Sequence, residues 1–221
     1  MNLLDDVQSR FDTYALYDEV CLPPLWEFHG RFRSLWKYWL LSRDLFGPLV
    51  ADAEREVEAA MHGDMQSDVI LDAGSLVTLE ADEADLYFIP DLQRALIIVA
   101  ALALVETLMR EVCKEIDPSL PLNDRGSYVQ RYNHFLKKRA GITVAKEHLR
   151  AFENFGHLRN SFVHQLNYEV PVQTTEDINQ MTGPFSDISE GVGSTHVELC
   201  LRLLNEFGEN FQRQYLAHIN R

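Results

Sequence analysis

Apolar residues recur at three- and four-residue spacing along most of this chain, and the breaks in that pattern mark out helices. Arg31 to Phe46 carries Phe32, Leu35, Trp36, Trp39 and Leu40 on one face. It stops at Gly47-Pro48, where the proline ring and its missing N–H break or kink a helix. Leu49 to Met61 resumes helical composition with an acidic face. His62 to Ile89 mixes glycine and aspartate with short apolar pieces, Val69-Ile70-Leu71 and Leu76-Val77-Thr78-Leu79, and reads as a long connection that leaves room for a short strand pair. Pro90-Asp91 then looks like a helix start with Asp91 as the cap, and the helix runs to Ile116, before Asp117-Pro118. Its Ala95 to Val105 run predicts burial on most sides and is about half of the roughly 20 residues a bilayer crossing needs.

Ser127 opens a further helix that Gly141 stops. Thr143 is the cap candidate for the next, Val144 to Leu166, with no capping box because Lys146 stands where Glu or Gln is needed. The apolar stripe there is Leu149, Phe152, Phe155, Phe162, Val163 and Leu166. Tyr168 to Val192, with Pro171, Gly183-Pro184 and Gly191, reads as a loop that admits a hairpin, and a last amphipathic helix spans Thr195 to His218. The pattern predicts an all-α fold, with an N-terminal helical extension and acidic connector over 1–89 and a helical bundle over 90–221.

Charge sharpens this picture. The chain has a net charge of −14, which by itself argues against a nucleic-acid partner. The charge is segregated, however. Ala51 to Asp91 holds twelve acidic residues and one arginine, whereas Arg125 to Arg150 holds seven basic residues and one glutamate. That basic stretch (Arg131, Lys137, Lys138, Arg139, Lys146 and Arg150 among it) reads either as a phosphate-binding approach or as a solvated face offsetting the acidic half. The acidic segment reads likewise as a competitor of phosphates for that approach, or simply as a solubilising surface. The three cysteines (Cys21, Cys113, Cys200) are too scattered for a disulfide framework or a zinc site and point to a reducing compartment. An acidic N-terminus predicts no secretory signal, so a soluble, cytoplasmic protein is expected. Trp26, Trp36 and Trp39 read as core or interface anchors.

The candidate chemistry lies late in the chain, in Gly156-His157-Leu158-Arg159-Asn160-Ser161-Phe162-Val163-His164. Asn160 and His164 are one turn apart on one face, His157 lies on that side a turn earlier, and Arg159 falls toward the edge of the apolar stripe. An arginine can fork two hydrogen bonds onto a phosphate, and a histidine titrating near pH 6.5 can move a proton. Glu106, interrupting the apolar helix, would be costly buried alone and should pair with Arg159 or Arg110. His157 and His164 stand about 10 Å apart along one helix, and neither His134 nor His148 adds ligand spacing, so no metal or other cofactor is expected. No glycine-rich phosphate loop, Ser-His-Asp order or Cys-His pair stands out.

On Arg159-Asn160-Ser161-Phe162-Val163-His164, with the preceding apolar helix and its Glu106 and the closing amphipathic helix, the chain from about Pro90 to Arg221 resembles the HEPN superfamily of all-helical domains. The resemblance implies a HEPN-like bundle and a metal-independent endoribonuclease, with Arg159, Asn160 and His164 catalytic and Glu106 and His157 in support. It also implies a homodimer with a composite site, RNA as the partner, and a toxin-antitoxin or phage-defence setting with an antitoxin or regulatory protein. The tyrosine that some members carry two residues after the histidine is Leu166 here. Helical geometry agrees with the dimer: five positions turn Arg159 and His164 about 140° apart, so one copy does not readily aim both at one phosphate. The alternative is a catalytically inactive dimerisation or partner-binding module, in which the same residues make helix-helix contacts.

Overall fold

The computed structural model describes residues 23–43, 45, 48, 49, 51–53, 55, 73–120, 126–165 and 193–220, and within them the side chains of all but 73–88, 91, 158 and 161–165. The described part is all-α, with no strand among its residues. Among the described residues there are five long helices: α1 Pro23–Ser42, α2 Ala73–Ile116, α3 Tyr128–Ala140, α4 Lys146–Gln165 and α5 Ser194–Ile219. The acidic stretch 51–91 has most of its side chains outside the described residues, as do the proposed loop Tyr168 to Val192 and the Val69-Ile70-Leu71 piece.

Local chemistry explains both the agreements and the departures. Helix α1 begins earlier than its apolar pattern suggests because Pro23 and Pro24 fit a first turn, whose N–H groups have no helical partner anyway. It ends at Ser42, where the Ser42 hydroxyl donates back to the Tyr38 carbonyl at 2.6 Å and accepts from buried Gln93 of α2. Pro90 does not start a helix; it sits inside the 44-residue α2. The good helix formers Glu80, Ala81, Glu83, Ala84 and Leu86 carry the helix through to the proline, so Leu76 to Leu79 is helical and not a strand. The proposed boundary between residues 89 and 90 therefore runs through a helix.

For α3, Ser127 and Gln130 form a reciprocal capping box, and Gly141 closes the helix in the left-handed region at φ 71°. Thr143, by contrast, caps nothing. Its N–H and carbonyl are both engaged by the Gln214 amide, at 2.8 and 3.0 Å, while the Val144 N–H donates to Asn133. These bonds hold 141–145 outside the helix, and α4 starts at Lys146.

Helix α2 is the hub and touches all four other helices. It buries Ile97, Ile98, Ala101, Leu102, Val105, Leu108, Met109, Val112 and Cys113, a stripe at helical spacing and not the whole circumference: Leu96 is 51% exposed. Leu25, Phe28, Phe32, Trp39 and Leu40 of α1 enter the same core cluster as Phe152 and Phe155 of α4 and Phe207 and Phe211 of α5. Helix α1 is thus part of the same core, although it lies in the segment read from sequence as an extension. Trp39 is a core residue and Trp36 packs against the core, but Trp26 is 65% exposed. Cys113 and Cys200 are buried free thiols, both pushed up to about 12 by burial, and therefore inert near neutral pH. No helix among the described residues is long and apolar enough to cross a membrane.

Two consequences of the α1–α5 contact are measurable. A Cβ added at Gly208 would lie 2.6 Å from Cε1 of Phe28 and 3.2 Å from Cε1 of His29. Phe28 is a core ring with no room to swing, so Gly208→Ala should destabilise the fold by about 1–3 kcal/mol, overriding alanine's gain in helix propensity of about 1 kcal/mol. Urea denaturation of the variant checks this.

The second concerns pH. Burial lowers the His29 pKa from 6.5 to about 4, with nearby Arg33 lowering it further and the Gln212 hydrogen bond opposing. The unfolded chain takes up a proton near pH 6.5 and the folded chain only near 4, so stability falls as pH drops through that window. The loss is on the order of 3 kcal/mol. His196, also lowered by burial, acts in the same direction. Urea midpoints measured at pH 7 and pH 4.5 should differ less in His29→Gln than in the wild type.

Candidate functional site

The site is built where α4 crosses α2 beside the start of α3. Spacing puts Phe152 and Phe155 of α4 into the core at 3% and 1% exposure, which fixes the rotation of the helix. That rotation leaves Arg159 half-buried at the edge of the packed face and turns His157 and Asn160 outward. On α2, Glu106 follows fully buried Val105 and looks out of the core at the same level.

Nη1 of Arg159 donates to Oε1 of Glu106 at 3.0 Å, with side-chain exposures of 28% and 31%. Nε and Nη2 of Arg159 each donate to Oδ1 of Asn160 at 3.4 Å. A guanidinium has five N–H groups in a planar fork, so this arrangement fixes its plane and leaves two donors for a ligand. Of the two partners that the sequence offers Glu106, the structure uses Arg159; Arg110 turns to Glu111 at 2.8 Å.

These residues border an open cleft of about 310 Å³, lined also by Leu102, Tyr128, Arg131, Glu153, Gly156 and His157. Glu153 accepts from the Gln130 amide, which ties the start of α3 to α4 across the cleft. The cleft therefore gathers five predicted site residues (Glu106, Arg131, His157, Arg159 and Asn160), and with Glu153 its lining sets two arginines against two glutamates. The backbone of His164 is in α4, but its side chain lies outside the described residues.

The basic approach predicted beside the motif is only partly assembled. Of its six named residues, Arg131 alone lines the cleft. Even there its Nε donates to the Gly126 carbonyl at 2.9 Å and its guanidinium lies 4.9 Å from the centre of the Tyr128 ring. Arg139 reaches Asp117 at 3.8 Å, and Lys137, Lys138, Lys146 and Arg150 are exposed away from this cleft. Among the described residues there is no group of three potential metal ligands.

Tyr128 and Glu153 line the cleft, and Gln130 donates to Glu153, without having been singled out from sequence. Tyr128 and Arg131 do stand at i and i+3, but that spacing has meaning only once the start of α3 is placed against α4. No protein-family model, curated protein or solved structure matches the chain.

Proposed function

We propose that this chain is a HEPN-type domain that cleaves RNA without a metal, at a composite site formed when two copies bring their α4 helices together. The observation that carries the reading is the Glu106–Arg159 pair at the mouth of an open cleft, with Asn160 beside it. Pairing with Arg159 offsets the cost of half-burying Glu106, and Glu106 and Asn160 together fix the plane of a guanidinium that lines an open cleft. Such an arrangement suits an arginine that must meet a phosphate in one orientation.

In this mechanism Glu106 and Asn160 hold the guanidinium plane, and Arg159 donates to the non-bridging phosphate oxygens as negative charge grows on them. His164 of the opposing copy takes the proton of the ribose 2′-hydroxyl, whose oxygen attacks the adjacent phosphorus to form a 2′,3′-cyclic phosphate and displaces the 5′-oxygen of the next nucleotide. That oxygen leaves as the hydroxyl after taking a proton from water. DNA lacks that hydroxyl and should not be cut. His157, exposed where it lines the cleft, would hold a neighbouring phosphate. An antitoxin or regulatory protein would act by covering this face.

The test is incubation of the purified protein with mixed RNA in EDTA. Cleavage that disappears in Arg159→Ala and in His164→Ala, with circular dichroism unchanged, supports the enzyme. Absence of any cleavage by the wild type, with both variants dimerising normally, would replace the enzyme with a dimerisation or partner-binding module built on the same helix.

A further inference from the structure

The cleft holds one feature that the cleavage chemistry leaves unused. Tyr128 is the first residue of α3, directly after the Ser127 cap, and it is 53% exposed although it is a large aromatic side chain. Its surroundings are not those of a stray surface residue. The Arg131 guanidinium is 4.9 Å from its ring centre, and that guanidinium is locked by its bond to the Gly126 carbonyl. The Tyr132 ring, buried in the core, lies nearly parallel at 26° with centroids 6.4 Å apart. The backbone beneath is fixed by the capping box and by the Gln130–Glu153 bond to α4. Tyr128 is therefore a flat ring on a rigid mount, supported by a planar cation, with more than half its surface facing out.

We propose that the Tyr128–Arg131 stack is a nucleobase subsite: one unpaired base of an RNA strand lies against it while the adjoining phosphate is held at Arg159. This rests on the RNA-cleaving reading of the cleft. Three observations favour a base over another planar ligand. The stack and Arg159 line one cleft of about 310 Å³, at the lower end of the range for small-ligand sites and suited to a single nucleotide unit. Aromatic rings and guanidinium planes are the surfaces on which single-stranded bases stack, with a charge at hand for the backbone. The cleft also balances Glu106 and Glu153 against Arg131 and Arg159, so it lacks the excess positive charge that would hold a strand by electrostatics alone. Stacking supplies what charge does not. Because every base has a π-face, the subsite selects for unpaired RNA and not for one base. Paired RNA keeps its bases inside the helix and should be a poor substrate.

The experiment uses the full chain. Steady-state cleavage of a single-stranded RNA hexanucleotide is measured for the wild type, Tyr128→Ala and Tyr128→Phe. In parallel, each Tyr128 state is placed in a His164→Ala background and titrated against the same RNA carrying 2-aminopurine, whose fluorescence is quenched on stacking. Tyr128→Ala should raise KM and the dissociation constant about 10-fold, with kcat within about threefold of wild type and quenching lost. Tyr128→Phe, which keeps the ring, should match wild type. Unchanged affinity and quenching in Tyr128→Ala, with an active wild type, would overturn the subsite and leave the catalytic reading intact. So would a Tyr128→Phe defect as large as that of Tyr128→Ala, because the hydroxyl and not the ring face would then be at work. A wild type that neither binds nor cleaves the RNA removes the catalytic reading and the subsite with it.

Discussion

Mixing Arg159→Ala subunits with His164→Ala subunits should restore RNA cleavage that neither variant has alone. Each single variant removes one half of the proposed chemistry from every site, phosphate stabilisation in one case and proton transfer in the other. Losses of about 10²- to 10⁴-fold are ordinary for either, which corresponds to roughly 3–5 kcal/mol of barrier. If each site takes Arg159 from one copy and His164 from the other, a mixed dimer holds one complete site and one site lacking both groups. Random exchange makes half of the dimers mixed, so cleavage should return to about a quarter of the wild-type rate. A site contained in one chain predicts no recovery at any mixing ratio. Single-turnover cleavage after subunit exchange, with dimerisation followed by light scattering, decides between them. Equal cleavage by Arg159→Ala and wild type would place the active residues elsewhere.

The composite prediction comes from the five-residue spacing of the motif; the helix α4 that carries the motif was legible in sequence because helical periodicity is a local property. The same is true of α3, where the Ser127 cap and the Gly141 stop are local chemistry and both appear as read. Other features depended on distant residues. Thr143 has the composition of a cap, but Gln214, 71 residues away, holds its backbone instead. Pro90 has the chemistry of a helix start, yet a helix-forming segment on its N-terminal side carries α2 through it. Glu106 was recognisable as needing a partner, but only the packing of α2 against α4 chooses Arg159 over Arg110. The basic stretch shows the converse: its charge count is a property of sequence, whereas the use of Arg131 on Tyr128 and Gly126 and of Arg139 on Asp117 is not. Tyr128 lies 31 residues before Arg159 on another helix, and nothing in its own neighbourhood marks it.

Phe207→Ala should be among the most damaging single substitutions for stability, costing about 3–5 kcal/mol. Its ring stands where three helices meet, edge-on to Phe28 of α1 at 6.2 Å and to Phe152 of α4 at 5.3 Å, and tilted against Phe211 at 5.3 Å. It is 2% exposed, so truncation leaves a cavity into which the three surrounding aromatic rings cannot readily collapse. Against a total of about 5–15 kcal/mol, that loss removes a large share of the margin and should lower Tm by roughly 10 °C. Calorimetry and urea titration measure it, and a loss below about 1 kcal/mol would mean that α1, α4 and α5 do not meet in this way. The contact with α1 can be isolated with Phe28→Ala in a double-mutant cycle. Coupling of about 0.5–1.5 kcal/mol is expected from an edge-to-face pair, and additive effects would mean that α1 packs independently of the bundle. Because Phe152 is two turns before Arg159 on α4, loosening at Phe207 should also disturb the guanidinium. Cleavage in Phe207→Ala should therefore fall even at temperatures where the protein remains folded, as expected when a reacting group is displaced by about 1 Å.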